Sequence, residues 1–415
     1  MLTQWIDYAY DASSMITNRT TEGGGQTAEV SYEYDTLNRL VGESSLTNGT
    51  SLHDVRYSYD LAGNRLTKTV NAIGVAYTLG TGNRLASAGT AAIIDLNGTA
   101  TEPIGTDDRW GELWVSNLTA QIGWVPKIDG SDFWIEDLPL ELGTNQLVAA
   151  IRDQAGNTDY TTNTVYLSAA SINMQYGYDA AGCMTNLNGI SLDWDERYRL
   201  KSVDGASCSV AYEYDVLGRR VSRIEGSTTN LFVHEGNQVV ADLDGSGNLL
   251  RTYVWGMGID NLLSFTDHAT SNTYYAIKDH QNSVIALVDA AGSVVENYEY
   301  DAYGNTKVFN AAGTELTASS PGNRYTFQGR EIDWDTGLYH FRARWYDPET
   351  GRWLSKDPVG ISGGLNLYAF CENNPVHFVD PDGLMASRSP KDCDPGREAA
   401  IAGILALDRT SSGGI

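Results

Sequence analysis

Six copies of Tyr-x-Tyr-Asp punctuate the chain, beginning at Tyr8, Tyr32, Tyr57, Tyr176, Tyr212 and Tyr298. A repeated unit of this kind constrains the fold more than any other property, because each copy has to be buried against its neighbours. The first three aspartates, Asp11, Asp35 and Asp60, follow at near-equal spacing, and the copies continue into Asn38-Arg39-Leu40, Gly63-Asn64-Arg65-Leu66, Gly218-Arg219 and Gly304-Asn305. Partial copies stand at Asn83-Arg84-Leu85 and from Asp195 to Leu200. Strand alternation puts both tyrosines of a copy on one face, aspartate opens a turn, and Gly or Asn supplies its positive φ. Each copy therefore reads as a β-hairpin. One hairpin is marginal in water, so successive copies are expected to pair into an extended sheet.

The composition agrees with an all-β chain: 24 Tyr, 10 Trp and 41% hydrophobic residues within 415 positions support two or three packed units. With 53 acidic against 28 basic residues the formal charge is -25, a field that repels phosphate backbones and anionic lipid, so no nucleic-acid partner is expected. Cys183, Cys208, Cys371 and Cys393 form no C-x-x-C pair and read as buried or free thiols; no zinc, other metal or cofactor is indicated. The first residues lack a basic segment followed by an apolar one, so no secretory signal is visible, and the start reads as internal to a longer gene. The apolar stretch 399–407 is far shorter than the ~20 residues that cross a bilayer as a helix, so no membrane insertion is expected.

The repeats resemble the YD repeats of the rearrangement hotspot (RHS) family, found also in Tc-toxin C subunits and the teneurins. The resemblance implies sheets that wind into a hollow shell, of which these few copies would supply a part. Between Leu85 and Tyr176 the repeat vanishes, and short alternating segments carry Trp110, Trp114, Trp124 and Trp134. There, Leu140-Glu141-Leu142-Gly143-Thr144-Asn145 and Asp153-Gln154-Ala155-Gly156-Asn157 read as turns between strands, and the segment resembles bacterial immunoglobulin-like sandwiches. The expected organisation is YD repeats over 1–90, an inserted Ig-like β-sandwich over 91–170, YD repeats over 171–305, a core domain over 306–384 and a variable tail over 385–415.

Three short motifs are read as structural. Asp242-Leu243-Asp244-Gly245 imitates half an EF-hand loop but has Tyr253 at the twelfth position, which fits a hairpin turn. Gly360-Ile361-Ser362-Gly363-Gly364 fits G-x-S-x-G without the flanking strand and helix of a nucleophile elbow. Asp153, Asn157 and Asp159 fit Asx turns better than a calcium site. Asp357-Pro358-Val359-Gly360 and Asp380-Pro381-Asp382-Gly383 have type I turn chemistry, which by itself asks for nothing catalytic.

From Arg330 onward the runs Phe341-Arg342-Ala343-Arg344-Trp345-Tyr346-Asp347-Pro348, Gly351-Arg352-Trp353, Lys356-Asp357-Pro358 and Asn373-Asn374-Pro375 lead to Asp380-Pro381-Asp382-Gly383-Leu384. This block is similar to the RHS repeat-associated core domain, whose closing signature falls on Pro375, Pro381, Gly383 and Leu384. The resemblance implies an intramolecular aspartic protease that frees a variable C-terminal polypeptide, in the manner of polymorphic toxins. It places the two aspartates at Asp357 and Asp380, the arginine at Arg344 and the scissile bond at Leu384-Met385. Two close carboxylates cannot both ionise, so one would keep a proton while the other activates water. Cys371 is read as a small buried group, and His377 and His280 as packing or turn residues. The tail is read as a truncated or decayed cargo or a short peptide.

The implied partners are the chain's own C-terminal segment as enclosed cargo, an upstream shell segment, and immunity or delivery proteins, with a bacterial secreted or cell-surface location. The rival readings are a non-catalytic surface protein that binds carbohydrate through the four tryptophans, or a gene remnant.

Overall fold

A computed structural model of the chain describes residues 5–23, 26–48, 50–70, 73–99, 112–118, 122–124, 127–129, 132–140, 143–152, 158–167, 173–206 and 208–388. Trp110, Asp153, Asn157, Cys393 and the stretch 399–407 lie outside these residues, as do the side chains of Trp124 and Trp134. The described residues form antiparallel strands joined by turns and short 3-10 turns, with no α-helix among them. The all-β expectation is met. The chain divides into two compact units, Met1–Thr50 with Gly177–Ile415, and Ser51–Tyr176.

The YD turn has one geometry throughout. In the copies at Asp35, Asp60, Asp215 and Asp301, the aspartate N–H donates to the carbonyl four residues on, and that residue's N–H donates back to aspartate Oδ1. The residue between them in the left-handed region is Asn38 (φ 60°), Gly63 (φ 76°), Gly218 (φ 86°) or Gly304 (φ 91°), which makes a type I turn with a bulge at its end. In these four copies the closing residue is Arg or Asn, and its side chain reaches aspartate Oδ2: Arg39 at 2.7 Å, Asn64 at 2.9 Å, Arg219 at 2.7 Å and Asn305 at 2.6 Å, whereas Met15 and Cys183 close the turns at Asp11 and Asp179.

In the first unit, Trp5–Tyr10, Ile16–Gly23, Gln26–Tyr34 and Leu40–Thr47 pair in succession. From Met184–Leu187 to Glu315–Leu316 every strand again pairs with the next, a long antiparallel meander. The first tyrosine of a copy points inward, and Tyr32, Tyr212 and Tyr298 are buried. The second ties its strand to the start of an earlier one: Tyr34 and Tyr214 hydroxyls donate to the Ile16 and Leu200 carbonyls, both at 2.7 Å. Trp255 does the same to Val239 with its indole N–H, at 2.7 Å.

The segment after the meander packs onto this unit through buried charges. Arg220 pairs with Glu331, Arg223 with Asp333 at 2.9 Å, Arg330 with Asp260 at 2.8 Å and Arg342 with Asp260 at 2.6 Å. A small sheet of Glu331–Ile332, Tyr339–Phe341, Arg344–Asp347 and Arg352–Trp353 carries the aromatic core of this segment. Its centre is Tyr346 stacked on Phe370 at 4.0 Å, with Phe341 and Trp353 edge-on to Phe370 at 5.5 and 5.2 Å. Such ring pairs add ~0.5–1.5 kcal/mol each beyond area burial.

In the second unit, Thr50–Tyr59, Arg65–Val70, Ile73–Leu79 and Leu85–Thr99 form a second meander. Leu85–Thr99 runs unbroken across position 90, where composition had suggested a boundary, and its far half pairs with Asp132–Leu140. A separate sheet has the order Ile122–Trp124, Glu112–Asn117, Gly143–Arg152, Thr158–Leu167. Buried Asn117 donates to buried Asn145 across it, at 2.9 Å.

Candidate active site

The residues expected to carry chemistry belong to one unit and meet at one place. Tyr339–Phe341 and Arg344–Asp347 make a tight hairpin with Phe341 opposite Arg344 and Arg342 at φ 54°, so Arg344 leaves the corner facing inward. Against that corner lies the turn 380–383, closed by Gly383 N–H on the Asp380 carbonyl at 3.2 Å and held by Ala343 N–H on the Asp382 carbonyl at 3.2 Å. Gly383 has φ 67°, and a Cβ there would run into the Phe341 carbonyl oxygen and lie 3.1 Å from Arg344 N. Only glycine allows the turn to sit this close to the hairpin. The Pro381 carbonyl accepts from Arg342, and the Pro375 carbonyl accepts from Gln281 at 2.8 Å, which anchors both ends of the signature. The second turn, at Asp357, is fixed by Val359 N–H on Asp357 Oδ1 at 2.9 Å and Gly360 N–H on its carbonyl at 3.0 Å.

Arg344 joins these parts. Its Nη2 lies 3.0 Å from Asp357 Oδ2 and 3.1 Å from Asp380 Oδ2, while its Nε donates to the Gly383 carbonyl. One nitrogen thus bridges two carboxylates that stand twenty-three positions apart in the chain. The guanidinium rests on the Trp353 ring, 4.0 Å from its centroid. Arg344, Asp357 and Asp380 are all buried. The other oxygen of Asp380, Oδ1, accepts from Leu384 N–H at 2.9 Å and Met385 N–H at 3.0 Å. The Leu384-Met385 bond is therefore in contact with one of the two carboxylates. Burial pushes the Asp380 carboxyl above the ordinary aspartate value, against the pull of Arg344 and of the two N–H donors. Beyond the bond, Ser387–Arg388 pairs with Phe378–Val379, so the segment crosses the site as one arm of a hairpin.

The remaining singled-out residues lie as follows. Cys371 is buried, and burial pushes its thiol well above the ordinary value, with Asp380 adding to the effect. His377 is buried with its ring edge-on to Phe378 at 5.1 Å. His280 sits in the repeat turn opened by Asp279, its Nδ1 3.1 Å from the Tyr8 hydroxyl and its Nε2 3.1 Å from the Val376 carbonyl. Asp242 is buried in an ion pair with Arg324, while Asp244 Oδ1 closes its own turn on Ser246 and Asn248 at 2.9 and 2.8 Å. Ser362 is exposed in a 3-10 turn, with neither strand nor helix around it. Asp159 is exposed and bonds the next N–H, at 2.9 Å. Trp114 is half-buried between Leu113 and Val115, which face inward. Trp353 was not singled out from sequence as part of the site; the Arg352-Trp353 pair in the middle of the block was the available signal.

A family model described as teneurin YD-shell matches residues 148–376, more than half of the chain. The tRNA nuclease WapA of Bacillus subtilis (strain 168) is 32% identical over 253 residues, 58% of this chain and 10% of that protein. Toxin subunit YenC1 of Yersinia entomophaga is 28% identical over 413 residues, 87% of this chain and 40% of that protein. A crystal structure of TcdB2-TccC3-Cdc42 matches 92% of this chain and 20% of that chain, with 19% identity and a TM-score of 0.41. The chain thus spans well under half the length of these two curated relatives.

Proposed function

The chain belongs to the teneurin YD-shell family, and from that premise we propose that it is part of a toxin-associated shell whose core segment 306–384 cuts its own backbone between Leu384 and Met385. The observation that carries this reading is the shared contact of Arg344 Nη2 with Asp357 and Asp380, together with the hydrogen bond from Met385 N–H to Asp380. The reaction is hydrolysis. Asp357, as base, takes a proton from water as its oxygen adds to the Leu384 carbonyl carbon. Asp380, as acid, gives a proton to the Met385 nitrogen as the C–N bond breaks.

Arg344 keeps the two carboxylates together and, through the Gly383 carbonyl, holds the strand to be cut in register with them. The substrate belongs to the same chain, so attack is unimolecular. A single event suffices, and the proton left on Asp357 needs no return path. The product beginning at Met385 is the cargo of this reading, and relatives named as a toxin subunit and a tRNA nuclease support an effector-linked role. Upstream shell, delivery and immunity proteins are its proposed partners, a secreted or cell-surface site its location, and the sheet of Glu112–Asn117 and its neighbours an Ig-like insert.

Intact mass under denaturing conditions tests the reading. The purified chain is expected to yield a species ending at Leu384, whereas Asp357→Asn and Asp380→Asn remain at the full 45.2 kDa. A single full-length species from the unaltered chain after prolonged incubation overturns it.

A further inference from the structure

The run Gly360-Ile361-Ser362-Gly363-Gly364 supplies no nucleophile, yet its fourth residue borders the site. A Cβ placed on Gly363 would lie 2.5 Å from Asp357 Oδ2 and 3.1 Å from the carbonyl oxygen of Leu384. The carboxylate and the carbonyl of the bond to be cut therefore approach each other over the bare Cα of this one residue. Gly363 is not among the residues with positive φ, so the backbone there is open to any amino acid. Glycine is needed at this position for space, unlike Gly364 next to it, whose φ is 134°.

We propose that Gly363 is a positioning residue for the scission: its missing side chain leaves the gap through which Asp357 reaches the Leu384 carbonyl. The inference rests on the self-cleavage reading above and adds to it the element that governs access to the bond. The physics also says what yields when the gap is filled. The nearest atom is the free end of a side chain, so a methyl group at 363 turns the Asp357 carboxylate aside before it disturbs the backbone. That carboxylate is held by Arg344 Nη2 at 3.0 Å and Val359 N–H at 2.9 Å, and turning Oδ2 away breaks its contact with Arg344. The fold survives while the base leaves both the guanidinium and the scissile carbonyl. A displacement of about 1 Å from attack geometry costs on the order of 100-fold in rate.

The test is to follow cleavage of the full chain over time and across pH by intact mass, with thermal unfolding measured alongside, for Gly363→Ala, Ser362→Ala and the unaltered chain. Gly363→Ala is expected to melt close to the unaltered chain and to cleave about 100-fold more slowly. Its pH profile should be displaced, because Asp357 no longer shares Arg344 with Asp380. Ser362→Ala, exposed in the same turn, is expected to cleave like the unaltered chain. Cleavage of Gly363→Ala at the original rate, a slower rate with an unchanged pH profile, loss of its fold, or an equal defect in Ser362→Ala each overturns the inference. If the unaltered chain itself does not cleave, the failure belongs to the reading beneath, and Gly363 has no reaction to position.

Discussion

Glu331 shows how much a single side chain depends on what surrounds it. Burial alone would raise its carboxyl, but Arg220 and Arg324 outweigh burial and hold it well below the ordinary glutamate value. A carboxylate depressed in the folded state contributes stability that is present above its unfolded value, near 4.5, and is lost as the pH falls through the folded value. His340 on the neighbouring strand is held well below 6.5 by burial and then by Arg220, so it too withdraws stability on acidification, from about 6.5 downward. Asp380 runs the opposite way. Its raised carboxyl contributes fully in acid and loses that contribution as the pH rises through its folded value. Urea unfolding measured from neutral pH into acid is expected to show a steep loss below about 4.5 that Glu331→Gln flattens. The same substitution should cost ~3–5 kcal/mol at neutral pH, since it leaves buried arginines without their anion. An identical acid slope in both proteins would refute the assignment. Neither Glu331 nor His340 was legible as a buried group, because Arg220, which acts on both, is more than a hundred positions away in sequence.

At the scale of the element, the repeat unit was legible almost to the atom. Alternation placed the two tyrosines on one face, and the Asp-to-Gly spacing announced the turn. What sequence left open was what the Arg or Asn after the glycine bonds, which is aspartate Oδ2. It also left open what the second tyrosine bonds. In Tyr214 that hydroxyl donates to the Leu200 carbonyl at 2.7 Å and accepts from the Trp345 indole at 3.0 Å, linking the meander to the core segment. Tyr214→Phe strands both partners and is expected to lower unfolding free energy by ~1–3 kcal/mol. Tyr300→Phe, which removes the corresponding bond to the Val284 carbonyl and strands no indole, should cost less. Equal losses in equilibrium unfolding would show that the bridge to Trp345 adds nothing. Near residue 90 the repeat gives way to a different composition, while Leu85–Thr99 continues as one strand through Gly89 and Asn97-Gly98, because its pairing with neighbouring strands overrides those local turn signals.

At the scale of the whole molecule, a formal charge of -25 on 415 residues is a repulsion that compactness has to overcome. The buried arginine pairs of the first unit are shielded from salt, whereas repulsion among surface carboxylates is screened once the Debye length drops from roughly 30 Å to about 8 Å. The melting temperature is therefore expected to rise from about 0.01 to 0.15 M salt, and a fall would mean that exposed ion pairs outweigh net repulsion. Strand periodicity, the turn chemistry of each copy and the all-β class were written in the sequence, because each depends on residues within a few positions of one another. The candidate catalytic residues were legible only through the resemblance of the block that ends at Leu384. Tertiary structure alone decided that Asp357 and Asp380 converge on one nitrogen of Arg344, that Met385 N–H meets Asp380, and that Gly363 leaves the space between a carboxylate and a carbonyl. Contacts of that kind join groups far apart along the chain, and local preference carries no record of which distant partner packing will supply.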